Sequence, residues 1–75
     1  MNKARREQLA GIAEGCANLA AQLEDLKGEE EEYRDHMPES LQPSEKHEQA
    51  EAAIEAMDTA IEALGEAYST LEDLY

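Results

Sequence analysis

His36-Met37-Pro38-Glu39-Ser40-Leu41-Gln42-Pro43-Ser44 carries both prolines of this 75-residue chain and separates two apolar stripes. The first stripe reads Leu9, Ile12, Cys16, Leu19, Leu23, Leu26, Glu30, Tyr33 and Met37. The second reads Ala50, Ile54, Met57, Ile61, Leu64, Tyr68, Leu71 and Tyr75. Each alternates steps of three and four, the period of a helix that buries a narrow seam against another helix. Met37 stands before Pro38 and is pushed out of the helical region, so the first helix ends by about residue 36. Ser44 has the side chain of an N-cap, and Glu45 and Glu48 place negative charge in the first turn, where the helix dipole favours it. The spacing therefore predicts an all-α chain: an antiparallel two-helix hairpin with helices over about 3–36 and 45–74 and a turn at 37–44. Leu41, the large apolar residue between the prolines, is expected to plug the end of the bundle, with Pro43 just outside the second helix.

A chain this short rarely draws more than about 3–5 kcal/mol from one core without a staple. It has one cysteine, so no internal disulfide is open to it. Self-association remains, as a four-helix bundle or a larger oligomer. The residues beside the seams point the same way. Ala53, Ala60, Ala67 and Leu74 widen the second stripe beyond what one partner helix covers, and Gly11 and Gly15 lie one turn apart among alanines. The expected oligomer interface comprises Leu9, Ile12, Gly15, Cys16, Leu19, Leu23 and Leu26 of the first helix. From the second come Ile54, Met57, Ile61, Leu64, Tyr68 and Leu71. Opposite them Glu48, Glu55, Glu62, Glu66 and Asp73 form a solvated side. Gly28 precedes four glutamates, Glu29 to Glu32, whose mutual repulsion predicts a bend or fraying there. Cys16 reads as a small apolar filler in a reducing compartment, with a disulfide to Cys16 of a second chain as the alternative.

The net charge of −13 is unevenly placed. Residues 1–27 hold four bases and four acids, whereas residues 28–75 hold Arg34 and Lys46 against fifteen acids. Most of the surface repels phosphate backbones, which argues against direct nucleic-acid binding. A solubilising face is the ordinary reading of such charge; a nucleic-acid mimic that meets a basic partner is the sharper one. No run of 18 apolar residues exists, and Glu14 and Gly15 interrupt any signal-peptide core, so the expectation is a cytoplasmic protein with no membrane partner.

Chemistry leaves little trace. A di-iron bundle needs Glu-x-x-His pairs, but Ser44 stands three residues before His47 and Tyr33 three before His36. Glu32 and His36, like His47 and Glu51, lie one turn apart, which allows only adventitious metal binding. No nucleophile has a histidine-acid partner in a recognisable motif. The expectation is a non-enzyme without cofactor or metal. Two places attract anions: the basic start Lys3, Arg5 and Arg6, and the start of the second helix with Ser44, Lys46 and His47 and nearby Ser40 and Gln42. In one hairpin these lie at opposite ends. In an antiparallel assembly of two hairpins the arginines of one chain reach the loop of the other, so a small anionic ligand would sit at the subunit interface. The competing expectation pairs Arg5 and Arg6 with Glu72 and Asp73.

Three segments carry a resemblance. Met1-Asn2-Lys3-Ala4-Arg5-Arg6, the run from Glu29 through Met37-Pro38-Glu39-Ser40-Leu41-Gln42, and the repeat Ala53-Ile54-Glu55-Ala56-Met57-Asp58 with Ala60-Ile61-Glu62-Ala63-Leu64 resemble a group of small acidic helical-hairpin proteins of phages and other mobile elements. That group has no assigned activity. The chain departs from it in having His36 where asparagine is usual and in Gly28. The resemblance implies a host-defence inhibitor that works by binding in the host cytoplasm. One form is an oligomer that sequesters a nucleotide-type ligand between subunits; another is an acidic mimic that blocks a basic host protein. A purely structural assembly accessory is the third.

Overall fold

The computed structural model describes residues 1–38, 40 and 44–75. Helix α1 spans Lys3–Asp35 and helix α2 spans Glu45–Glu72. Leu41, Gln42 and Pro43, for which an end plug, a ligand contact and a pre-helix position are expected, lie outside the described residues.

Local chemistry sets the helix ends. Asn2 adopts an extended conformation and its Oδ1 accepts the Arg5 backbone N–H at 2.8 Å, satisfying one of the free donors of the first turn. No acid stands in that turn. At the other end the N–H groups of His36 and Met37 donate to the carbonyls of Glu32 and Arg34 at 3.0 and 3.2 Å, and Pro38 stops further winding. Ser44 caps α2 as its spacing predicts, its Oγ accepting the His47 N–H at 3.3 Å, with Glu45 and Glu48 in the first turn.

The helices pack antiparallel. Lys27 Nζ lies 2.7 Å from Asp58 Oδ1, and Arg34 Nη1 lies 3.3 Å from Glu51 Oε1. A step of seven residues up α1 is matched by seven back along α2, which fixes the register over the whole hairpin. Glu72, the last residue of α2, then falls level with Ala13, so Lys3–Ile12 runs on past the end of α2 for about 15 Å.

The result is a rod, with Cα extents of 60 × 14 × 12 Å. Its radius of gyration is 17.2 Å, against about 11 Å for a compact domain of this length. Little interior exists in such a shape. Among the described residues only Ala13, Met37, Ala50 and Ile54 are buried, and no large side chain is fully enclosed.

Two expectations need correction. No break or fraying occurs at Gly28: α1 is continuous through it and through Glu29–Glu32. Contact with α2 carries the helix across this weak stretch, since Leu23, Lys27, Glu30, Arg34 and Met37 all turn toward the partner helix and are half-buried or buried. The first stripe, moreover, does not form the seam as a whole. Leu9, Cys16, Leu23, Glu30 and Met37 face α2, but their companions are Ala13, Ala20, Lys27 and Arg34, each one residue beyond Ile12, Leu19, Leu26 and Tyr33. Those four large residues stay 58, 52, 53 and 49% exposed.

Alanine explains the rotation. Ala13 is fully buried and Ala50 nearly so, which lets the two backbones come close at both ends of the seam. Ala50→Leu should therefore lower stability by about 1–3 kcal/mol through overpacking, measured by chemical denaturation at fixed protein concentration. Gly28→Ala should do the opposite. A Cβ there meets nothing within 4 Å and the backbone is helical, so the same measurement should show a gain of about 0.5–1 kcal/mol.

Candidate functional site

The rotation of α1 gives the hairpin two unlike sides. Lys27 and Arg34 lie on one edge of the α1 seam and reach Asp58 and Glu51, which occupy the matching edge of α2. Ile12, Leu19, Leu26 and Tyr33 flank the other edge of α1. With 3.6 residues per turn and antiparallel axes, the α2 row on that same side is Ala53, Ala60, Ala67 and Leu74. The register sets them level: Ile12 with Leu74, Leu19 with Ala67, Leu26 with Ala60 and Tyr33 with Ala53. One side of the rod is thus an apolar strip about 32 Å long, and the other carries the two cross-helix ion pairs in its half nearer the turn. Ala53, Ala60 and Ala67 are half-buried, and Leu74 is 50% exposed.

The candidate ligand residues divide between the two ends of the rod. Lys3, Arg5 and Arg6 are exposed on the part of α1 that extends beyond α2. Met1, Arg5, Gln8, Leu9 and Ile12 line a shallow groove of about 320 Å³ there. Ser40 and Lys46 are exposed at the far end. Beside them Ser44 is committed to capping, and His47 Nε2 lies 3.9 Å from Glu51 Oε1. Within one chain the two sets do not meet. Nor do Arg5 and Arg6 pair with Glu72 and Asp73 among the described residues. The overhang accounts for this, since those acids lie level with residues 12 and 13, nearly two turns from the arginines.

Several contacts have no counterpart in the sequence reading. Lys27 and Arg34 were available to it: they continue the heptad row of Ala13 and Ala20, and Asp58 and Glu51 stand in a matching row seven residues apart. Asn2 as an N-cap was legible too, a short polar residue directly before the helix. Cys16 is half-buried in the seam as a free thiol.

Among the described residues no three His, Cys, Asp or Glu side chains stand together to hold a metal, and no helix is long and apolar enough to cross a membrane. A second depression, about 650 Å³, lies over Gly65 between Glu62, Glu66, Ser69 and Thr70 on the outer side of α2. It is a dent where one helix lacks a side chain, open to solvent and rimmed by acids, with no base to balance them. No protein family, curated protein or solved structure matches this chain.

Electrostatics at the seam edge has a pH signature. The hydrogen bond that Lys27 donates to the Asp58 carboxylate holds its ammonium above its ordinary 10.5, outweighing partial burial, and nearby Glu24 and Glu31 add to it. Desolvation raises the Tyr75 phenol, helped by Tyr68, Glu72 and Glu14. A group whose pKa is raised in the folded state contributes fully below its unfolded value and loses that contribution as pH climbs through the folded one. The melting temperature should accordingly hold steady from about pH 7 to about pH 9 and fall above about pH 10. Asp58→Asn should shrink the alkaline fall, as read by circular dichroism melts across that range.

Proposed function

We propose that the chain is a non-enzymatic binding protein whose working unit is a homo-oligomer of hairpins. The observation that carries this reading is the apolar strip of Ile12, Leu19, Leu26 and Tyr33 beside Ala53, Ala60, Ala67 and Leu74. Four heptad-spaced large side chains about half in water, on a molecule whose buried core among the described residues is two alanines, an isoleucine and a methionine, support association through this surface. Shielding that strip also supplies the stability that a single thin seam lacks.

The basic start gives the oligomer something to bind. Lys3, Arg5 and Arg6 stand at the positive end of the α1 dipole, where acids would be favoured, and no acid of their own chain pairs with them among the described residues. Such a cluster attracts anions. Together with the resemblance to small phage hairpin proteins, it supports sequestration of a small nucleotide-type ligand at a subunit interface, and through it inhibition of a host defence.

Two measurements separate the parts of this reading. Sedimentation at micromolar concentration should give a dimer or larger species, and Leu19→Glu combined with Leu26→Glu should shift it to monomer mass. A wild-type monomer would overturn the assembly. Calorimetry with cyclic and ADP-ribose-type nucleotides should give heat that Arg5→Ala removes while the oligomer persists. An absence of heat across the panel would exclude the ligand and leave the assembly standing.

A further inference from the structure

We infer that the apolar strip seats a second copy of this chain in antiparallel orientation, α1 against the partner's α1, with the two turns at opposite ends of the pair. The inference rests on the self-association proposed above and adds its partner orientation and register. Two symmetric arrangements can bring the strips together. With the two-fold axis along the rod, both turns lie at one end and α1 covers the partner's α2. With the axis across the rod, α1 covers the partner's α1 and the ends exchange.

Charge decides between them. The turn end carries Glu29, Glu30, Glu31, Glu32, Asp35, Glu45 and Glu48 against Arg34 and Lys46, while the start of α1 carries Lys3, Arg5 and Arg6 against Glu7. An axis along the rod stacks each acidic end on its own copy and each basic start on the other basic start. An axis across it brings the basic start of one protomer within about two turns of the partner's Asp35, Glu45 and Glu48, and sets the partner's Glu29–Glu32 run level with residues 13–16. Like charges brought together cost energy over the whole length of that overlap, and opposite charges are relieved by it. The exchange also places acids near the positive end of the α1 dipole, which its own first turn lacks.

The overhang fits the same arrangement. Lys3–Leu9 has no α2 beside it, and its groove, lined by Met1, Arg5, Gln8, Leu9 and Ile12, opens to solvent. Heptad spacing makes the strip self-complementary about a point between Gln22 and Leu23: Ile12 meets the partner's Tyr33, and Leu19 meets the partner's Leu26. In that register residues 5 to 9 come level with the partner's turn end, so the groove is covered by the other chain. The alternative arrangement leaves both overhangs projecting together beyond the pair.

Cysteine pairs read the orientation directly. On a Cys16→Ser background, Leu19→Cys and Leu26→Cys chains co-expressed and gently oxidised should give a disulfide-linked dimer at least ten times more abundant than either variant gives alone. The pairing brings residue 19 to the partner's residue 26, while identical residues sit about 10 Å apart along the axis, beyond disulfide reach. Efficient linkage of Leu19→Cys to Ala67→Cys instead, which the axis along the rod predicts, would overturn the orientation. Sedimentation of the same samples keeps the two claims apart. A dimer that fails to link 19 to 26 defeats the antiparallel register alone, whereas a monomer defeats the self-association on which it rests.

Discussion

Close approach of two helix backbones at alanine is the constraint on which this hairpin depends. Ala13 and Ala50 sit near opposite ends of the seam and are the most buried residues described. A small side chain there gains most from contact when the facing helix presses directly on it, and the helix turns until it does. For α1 the turn amounts to about one residue. It brings Ala13, Ala20, Lys27 and Arg34 toward α2 and carries Ile12, Leu19, Leu26 and Tyr33 away from it. The leucine row, the most apolar feature of the first half of the chain, is left on the surface.

The second half of that constraint is electrostatic. Lys27 and Arg34 occupy seam-edge positions where alanine stands further up the helix, and they hold them because acids wait at the matching height on α2. Their aliphatic stems cover the seam while the charged heads reach Asp58 and Glu51 at its rim. These are exposed pairs in water, so their value lies in register and orientation more than in raw stability. They commit one edge of the rod to polar contacts. The apolar strip is confined to the other, and the hairpin becomes a two-sided object from a chain that reads as a single stripe per helix.

Charge is distributed along the rod as well as across it. The basic start overhangs α2, out of reach of Glu72 and Asp73, while acids crowd the turn end. A hairpin that ended flush would have neutralised Arg5 and Arg6 internally. The register leaves them available, and with them the groove beside Leu9 and Ile12. The exposed cations and this groove thus share the first turns of α1, and Ile12 belongs both to the groove and to the apolar strip.

Much of the fold was legible in the residues alone. Pro38, the Ser44 cap with Glu45 and Glu48, and the three-four spacing determine two helices and their approximate limits through purely local physics: ring sterics, free N–H groups and side-chain period. The basic start and the acidic remainder were equally plain. Which side of α1 meets α2 was not, because Leu9, Cys16 and Leu23 belong to both the 12-19-26-33 row and the 13-20-27-34 row, and hydrophobicity alone favours the first. Only packing compares the close contact of Ala13 and the ion pairs of Lys27 and Arg34 with the burial of three aliphatic side chains and a tyrosine. Gly28 teaches the same lesson at a smaller scale, since its helix-breaking tendency is a property of an isolated helix and the partner overrides it. Local sequence determined that two helices form; the meeting of those helices decided which apolar surface is buried and which stays exposed, because burial is a property of pairs of elements and no single stripe contains it.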